Sequence, residues 1–214
     1  MASVMLSSEA QAMVVSGQVR VVDGDTIDIG GERVRLEGID TPEQSQTCPR
    51  RGSGTWHCGR KATKALKKLI NGQSVLCQGQ ERGKYGRLIA TCFVNDKNIN
   101  AQMVRDGYAW AFVKCSTSYV DEERIARRKR IGIWSGQRAE PPWRYRSRRW
   151  GRAQQVSPKG CAIKGNISRS GGKIYHTPWS PWYDEVIIDK NHGERWFCSE
   201  GEAKAQGWRA AQSQ

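Results

Sequence analysis

Hydrophobic residues recur at every second position in three short runs near the start of the chain: Val19 and Val21, Ile27 and Ile29, and Val34 and Leu36. That spacing places each pair on one face of a β-strand, so Gly17–Gly38 reads as successive strands, with Gly30-Gly31 as a tight hairpin turn. The alternation then stops. From Asp40 to Gly59 the chain is rich in Pro, Gly, Ser and Thr and reads as a loop. Arg60–Ile70 switches to helical spacing: Ala62, Ala65, Leu66, Leu69 and Ile70 share one face, lysines take the other, and Asn71-Gly72 ends the run. Two more strands, Gln73–Gly79 and Arg87–Asn95, precede a short helix from Ile99 to Asp106, closed by Gly107. A third helix is predicted from about Ser118. Asp121, Glu122 and Glu123 lie in its first turn and Arg127, Arg128, Lys129 and Arg130 near its end, the order that complements the helix dipole.

Five short strands with three helices predict a small closed β-barrel in an α+β chain. Pro141-Pro142 marks the exit from it. The expected organisation is an N-terminal tail over residues 1–16, the barrel domain over 17–138, a basic Trp/Arg-rich linker over 139–159 and a small C-terminal α+β module over 160–214. In that module CAIKGNIS and KIYH read as strands and PWSPWY as a turn. SEGEAKAQGWRAA reads as a short helix capped at Ser199, with Glu202 three residues on.

Composition narrows the function classes. Only 37% of the 214 residues are hydrophobic and no apolar run reaches the ~20 residues of a membrane-spanning helix, so a transmembrane segment is not expected. Lys and Arg number 35 against 21 Asp and Glu, a net charge of +14, which points to a polyanionic partner. The excess is concentrated: Arg124–Arg152 holds eleven basic residues against the single acid Glu140. Within it Trp143, Tyr145 and Trp150 interleave with Arg144, Arg146, Arg148 and Arg149, a pattern suited to phosphate contact and base stacking. A solvated linker with its Trp side chains docked on the core is the competing reading. An anionic surface, reached through this linker, is the second partner class after nucleic acid.

Seven cysteines occur without a CxxC pair. Cys77 and Cys92 fall in two neighbouring strand-like runs, Cys48 and Cys58 bracket a loop, and Cys161 and Cys198 bracket the C-terminal segment. Three disulfides with Cys115 left over is the economical scheme, and it implies an oxidising compartment, periplasmic or extracellular. A zinc site from Cys161, His176, His192 and Cys198, or unrelated thiols in a cytoplasmic protein, are the alternatives. MASVMLSSEAQAMVVSG has neither a basic n-region nor a sustained apolar h-region. Export therefore rests on the cysteines alone.

The candidate chemistry lies in VRVVDGDTIDIGGERVRLEGIDTPE, Val19–Glu43. Asp25 follows Gly24 at a turn, and Asp40-Thr41-Pro42-Glu43 closes a strand with a corner that Pro makes rigid. Two Asp carboxylates and a backbone carbonyl are the donors a hard divalent cation takes. Arg35 projects from the face opposite Val34 and Leu36, and its fork matches phosphate oxygens. Asp23 and Asp28 are nearby acids of lower rank.

VDGDT, then RLEGIDTPE, then KYGR resemble, in order, the motifs of the thermonuclease (staphylococcal nuclease-like) family, over about Gly17–Ser135. The resemblance implies a five-stranded OB-fold barrel with three helices and calcium-dependent hydrolysis of DNA and RNA phosphodiesters by a monomer. It implies Asp25 and Asp40 as carboxylate ligands of Ca²⁺ and Thr41 as a backbone-carbonyl ligand. It further implies Glu43 as the base that activates water, Arg35 and Arg87 as the groups on the scissile phosphate, and Lys84 and Tyr85 on a neighbouring phosphate. The Cys48–Cys58 loop is like that of a bacterial subgroup, and the C-terminal segment is similar to a small sunset-like module appended to some bacterial nucleases. Around Trp110 and Phe112, where the resemblance implies a base-stacking Tyr, the phenol is missing. A noncatalytic nucleic-acid-binding OB module and an envelope-tethered adaptor are the rival functions.

Overall fold

The computed structural model describes residues 12–83 and 86–211; Lys84 and Tyr85 lie outside the described residues. The first half of the chain runs β1 (Met13–Gly17), β2 (Val19–Val21), β3 (Thr26–Ile29), β4 (Glu32–Leu36), β5 (Ile39–Asp40), β6 (Cys48–Pro49), β7 (Thr55–Trp56), α1 (Cys58–Ile70), β8 (Val75–Arg82), β9 (Leu88–Val94), β10 (Lys97–Asn98) and α2 (Ile99–Arg105). Then follow β11 (Trp110–Ala111), α3 (Val120–Lys129), α4 (Pro142–Val156), β12 (Ile163–Ile167), β13 (Lys173–His176), β14 (Arg195–Phe197), α5 (Glu200–Ala205) and β15 (Arg209–Ala210).

The main sheet has seven strands, in the order β1-β8-β9-β4-β3-β2 with β10 beside β9. It curls around a core of its inward residues into an OB-type half-barrel, the fold the family resemblance implies, with two strands more than the five expected. β9 shows why the register is fixed: Leu88, Ala90, Cys92 and Val94 point inward, and a one-residue slip would turn all four to solvent. Gly30 and Gly31, both at positive φ, make the β3–β4 hairpin turn that the sequence indicates. β4 is antiparallel to β3 and parallel to β9, so its outward residue Arg35 stands between Thr26 and Ile89. α1 buries Ala62, Leu66 and Ile70 against the sheet and ends at Asn71 in the left-handed conformation.

Two segments differ from the expectation. Met13–Gly17 belongs to the sheet, Val15 opposite Cys77 at its edge, where a tail over 1–16 is predicted. Its pairing comes from backbone hydrogen bonds to β8, and Val14 stays 60% exposed, so side-chain patterning gives little warning. Pro142–Val156, read from sequence as linker, is a fifteen-residue helix. Pro142 sits in its first turn, where a missing N–H costs nothing. Trp143, Arg146, Trp150 and Ala153 follow each other at helical spacing, so a single face of α4 meets the rest of the protein.

The C-terminal module is a four-stranded sheet in the order β14-β12-β13-β15, with β15 parallel to β13. Ile163, Tyr175, Phe197, Ala203 and Trp208 form its core. Ser199 caps α5 by accepting from the Glu202 amide, the arrangement foreseen in the sequence. His176 is buried here as a hydrogen-bonded residue, with Nε2 2.9 Å from Asn166 Oδ1 and Nδ1 3.3 Å from Ser180 Oγ. Burial, with Lys164 adding repulsion, pushes its imidazole down from 6.5 to about 4. On acidification the unfolded chain takes up this proton first. The module is therefore most stable well above pH 6.5 and loses stability as pH falls through 6.5 toward 4. Thermal melts of the full chain at neutral and acid pH should show a smaller acid-induced loss in His176→Gln than in wild type.

All three expected disulfides are formed: Cys48–Cys58, Cys77–Cys92 and Cys161–Cys198, with Cys115 free and exposed. The zinc alternative fails because Cys161 and Cys198 are bonded to each other. Cys77 and Cys92 are direct cross-strand partners on β8 and β9 and close a loop of sequence separation 15. Replacing both by Ala should lower folding stability by about 3 kcal/mol, read as a lower denaturant midpoint. An unchanged midpoint would contradict a stabilising role.

Candidate active site

Two close approaches bring the acidic loop onto the barrel. A Cβ at Gly24 would lie 2.6 Å from Thr41 Oγ1, so only glycine lets the turn before Asp25 sit against the Asp40–Glu43 corner. A Cβ at Gly59 would lie 1.8 Å from the Glu43 carbonyl, so the first turn of α1 touches the same corner from behind. Asp25 is then locked from several sides. Its Oδ2 accepts from the Thr41 amide at 3.1 Å, and its Oδ1 accepts from Thr26 Oγ1 at 3.0 Å and from Arg35 Nη1 at 2.9 Å.

Asp40 lies on β5, opposite Trp110 of β11, and is wholly buried. Arg35 Nη2 donates to its Oδ1 at 3.0 Å, so one guanidinium bridges both aspartates. A second guanidinium arrives from α4: Arg146 donates to Asp40 Oδ2 at 2.7 Å, to Asp40 Oδ1 at 3.1 Å and to Glu43 Oε1 at 2.6 Å. The neighbours of Arg146 anchor it. Trp143 packs on Trp110 and Phe112, and the Tyr145 hydroxyl lies 2.9 Å from Ser45 Oγ. Buried Gln46 ties the same loop together: its Oε1 accepts from the Glu43 amide at 3.2 Å and its Nε2 donates to the Glu140 carbonyl at 2.6 Å.

The electrostatics separate the acids. Burial acts to raise the Asp25 carboxyl, but Arg35, the Thr41 amide and Arg87 outweigh it and hold the group below the usual carboxylate range. Burial raises Asp40 against the pull of Arg146. Burial likewise pushes Glu43 up to about 8, with Arg146 opposing it. Asp23, whose carboxylate accepts from the Asp25 amide, is pushed up to about 7 by burial and by the Asp25 charge. Glu43, Asp40 and Asp23 are thus all pushed toward the protonated form, while Asp25 is held ionised.

These groups open onto a cleft of about 1110 Å³ between the barrel and the C-terminal module. Asp25, Arg35, Thr41, Glu43, Arg87 and Arg146 all line it, with Asp40 directly beneath. Six of the eight candidate catalytic, metal and phosphate-contact residues are therefore brought together, while Lys84 and Tyr85 lie outside the described residues. Asp28 is not among them; it pairs with Arg20 and Arg33. Arg146 and Gln46 are site residues the sequence reading missed. The i, i+3, i+7 spacing of Trp143, Arg146 and Trp150 is the signal that marks Arg146 as inward-facing. Of the other basic residues there, Arg148 pairs with Glu140, and Arg149 with Asp184 and the Pro178 carbonyl.

No group of three or more His, Cys, Asp or Glu side chains placed to hold a metal ion occurs among the described residues. The Asp25 and Asp40 carboxylates and the Thr41 carbonyl are nonetheless hard oxygen donors, the kind calcium takes, and fit it in type. The Asp40 oxygens and Glu43 Oε1 are at present bonded to guanidinium groups.

Residues 33–136 match the family described as Staphylococcal nuclease homologue. "Protein ParB" of Escherichia coli is 34% identical over 68% of this chain and 86% of its own length. "Micrococcal nuclease" of Shigella flexneri is 34% identical over 60% of this chain and 78% of its own. An "Uncharacterized endonuclease" of Escherichia coli O157:H7 is 35% identical over 61% and 84%. With its curled barrel, its acidic corner and relatives at this level of identity and coverage, the chain belongs to the staphylococcal nuclease family.

Proposed function

We propose that the protein is a calcium-dependent nuclease that hydrolyses DNA and RNA phosphodiesters with little sequence preference. The observation that carries this reading is the convergence of Asp25, Asp40, Glu43, Arg35 and Arg87 at a single cleft.

A phosphodiester is already anionic and repels a nucleophile, so its hydrolysis needs positive charge on the phosphate and a base on the water. Arg35 and Arg87 supply the first. Arg35 is preorganised: its two terminal nitrogens are held by Asp25 and Asp40, which fixes the plane of the fork before substrate arrives. Glu43 supplies the second, because its carboxyl is raised toward neutrality and so holds a proton more strongly than an ordinary carboxylate. Gln46 and the Gly59 contact keep the Glu43 backbone in place. Asp25, Asp40 and the Thr41 carbonyl would hold the cation, which when bound adds positive charge beside the scissile phosphate. The three disulfides support assignment to an oxidising, exported location.

Supercoiled plasmid and a labelled RNA test the reading. Both should be degraded with calcium and protected by EGTA. Intact substrates in calcium would sink it.

A further inference from the structure

The cleft has a wall that this chemistry does not use. From the module side it is lined by Trp150 of α4 and by Trp179 and Trp182 in the turn after β13. Other large aromatic groups of the module are more deeply set: Tyr175, Phe197 and Trp208 are buried, with the Phe197 and Trp208 rings 5.2 Å apart, although Tyr175 and Trp208 also border the cleft and Trp150 packs on the same core. The three cleft indoles are only half-buried. Trp150 and Trp179 lie 6.0 Å apart with their planes tilted by 38°, and Trp182 meets His176 edge-on at 6.3 Å. Indole faces left partly open in a concave site offer a surface on which a flat apolar group can stack.

The charge of the same cleft says what that partner carries. Arg33, Arg82, Lys204 and Arg209 line it beside Arg35 and Arg87, together with Glu32 and Glu200. Arg82 is paired with Glu32 and Arg33 with Asp28, so a phosphate would have to share these guanidinium groups with their carboxylates. Lys204 comes from the module, and its amine is held below the ordinary range first by burial, with Arg87 and Arg33 adding repulsion against the pull of Glu200. Cations of barrel and module therefore crowd one space, as suits a chain of phosphates.

Resting on the nuclease reading, we propose that the C-terminal module is a nucleobase-stacking wall of the substrate cleft: Trp150, Trp179 and Trp182 hold unpaired bases of a nucleic-acid strand, while Arg33, Arg82 and Lys204 track its phosphates toward Arg35 and Arg87. Every base offers a face to stack on, so the wall is indifferent to sequence. A base inside a duplex has both faces covered and offers only its edges, so the wall selects unpaired strands. The module is thus part of the substrate site rather than a separate tether.

The test uses the full chain in EGTA, with fluorescein-labelled oligonucleotides of about 12 nucleotides, single-stranded or annealed, read by anisotropy and checked on gels for intactness. Trp179→Ala and Trp182→Ala should each weaken single-strand binding by roughly 5- to 150-fold, the range for loss of a stacked base. Duplex affinity should change little, and Trp179→Phe and Trp182→Phe should restore most of the loss. Unchanged single-strand affinity in both Ala variants overturns the proposal. Equal losses for single strand and duplex, or Phe variants as weak as Ala, also overturn it, since they mark the indoles as merely structural. The nuclease reading is scored separately by wild-type hydrolysis of bis(p-nitrophenyl) phosphate in calcium, a diester without bases. Turnover there supports that reading, intact plasmid and RNA in calcium defeat it, and either result leaves the stacking result standing.

Discussion

Arg35→Ala should lower kcat/KM for DNA cleavage by about 10³-fold, at the upper end of what a single preorganised charge-stabilising donor contributes. The size follows from its position: one guanidinium bonded to both Asp25 and Asp40 and facing the cleft is aimed without any search of rotamers. Arg35→Lys recovers little, because an ammonium cannot bridge two carboxylates and present a planar fork at once. Rates should be measured beside a calcium titration, since removal of Arg35 also frees oxygens on both aspartates. A loss confined to KM would place Arg35 in substrate binding alone. An unchanged rate would mean that phosphate is held elsewhere.

Arg146→Ala has the opposite sign for the cation. In the structure Arg146 donates three hydrogen bonds to Asp40 and Glu43, the carboxylates the proposed calcium and the proposed base depend on. A guanidinium and a divalent cation at the same oxygens exclude each other by charge and by space. Removing Arg146 should therefore tighten calcium binding by about tenfold or more, a shift of ~1.4 kcal/mol, measured by calorimetry without substrate. Arg146→Lys should fall between, with a point charge in place of a bidentate fork. Calcium affinity that drops or stays level in Arg146→Ala would show that the arginine supports the cation site instead of competing with it.

What the sequence discloses here follows from the range of the forces involved. The barrel strands and α1 are legible because their burial is periodic: Val34 and Leu36 face in and Arg35 out by the geometry of a strand alone. The acidic corner is legible because Pro42 and the surrounding turn residues constrain it locally. The partners of Arg146 are not: helical spacing with Trp143 and Trp150 marks it as inward-facing, but it reaches Asp40 from 106 positions away and only tertiary docking of α4 brings them together. The same stretch reads as linker because it follows Pro141-Pro142 and its arginines interrupt its apolar residues. Their charge is absorbed by partners remote in sequence, Asp40, Glu43 and Asp184, which no local pattern reveals. The edge strand at Met13–Gly17 is hidden for a related reason: β8 holds it through backbone bonds, to which half-exposed side chains add little. Gln46 is hidden because a lone glutamine in a loop carries no signal until its hydrogen bonds to Glu43 and Glu140 are seen.

In the proposed function the acid cluster divides into two duties, and a single substitution separates them. Asp25 and Asp40, with the Thr41 carbonyl, are assigned to the cation, whereas Glu43 at the rim is assigned to the water. Glu43→Gln keeps the shape of the side chain and removes its basicity. The decisive measurement is single-turnover cleavage of a labelled oligonucleotide by Glu43→Gln in saturating calcium, with calcium affinity determined on the same preparation. The rate should fall by 10² to 10⁴, roughly the range for a general base, while calcium still binds. A Glu43→Gln protein that binds calcium and cleaves at the wild-type rate would contradict the assignment of this cleft as the hydrolytic site.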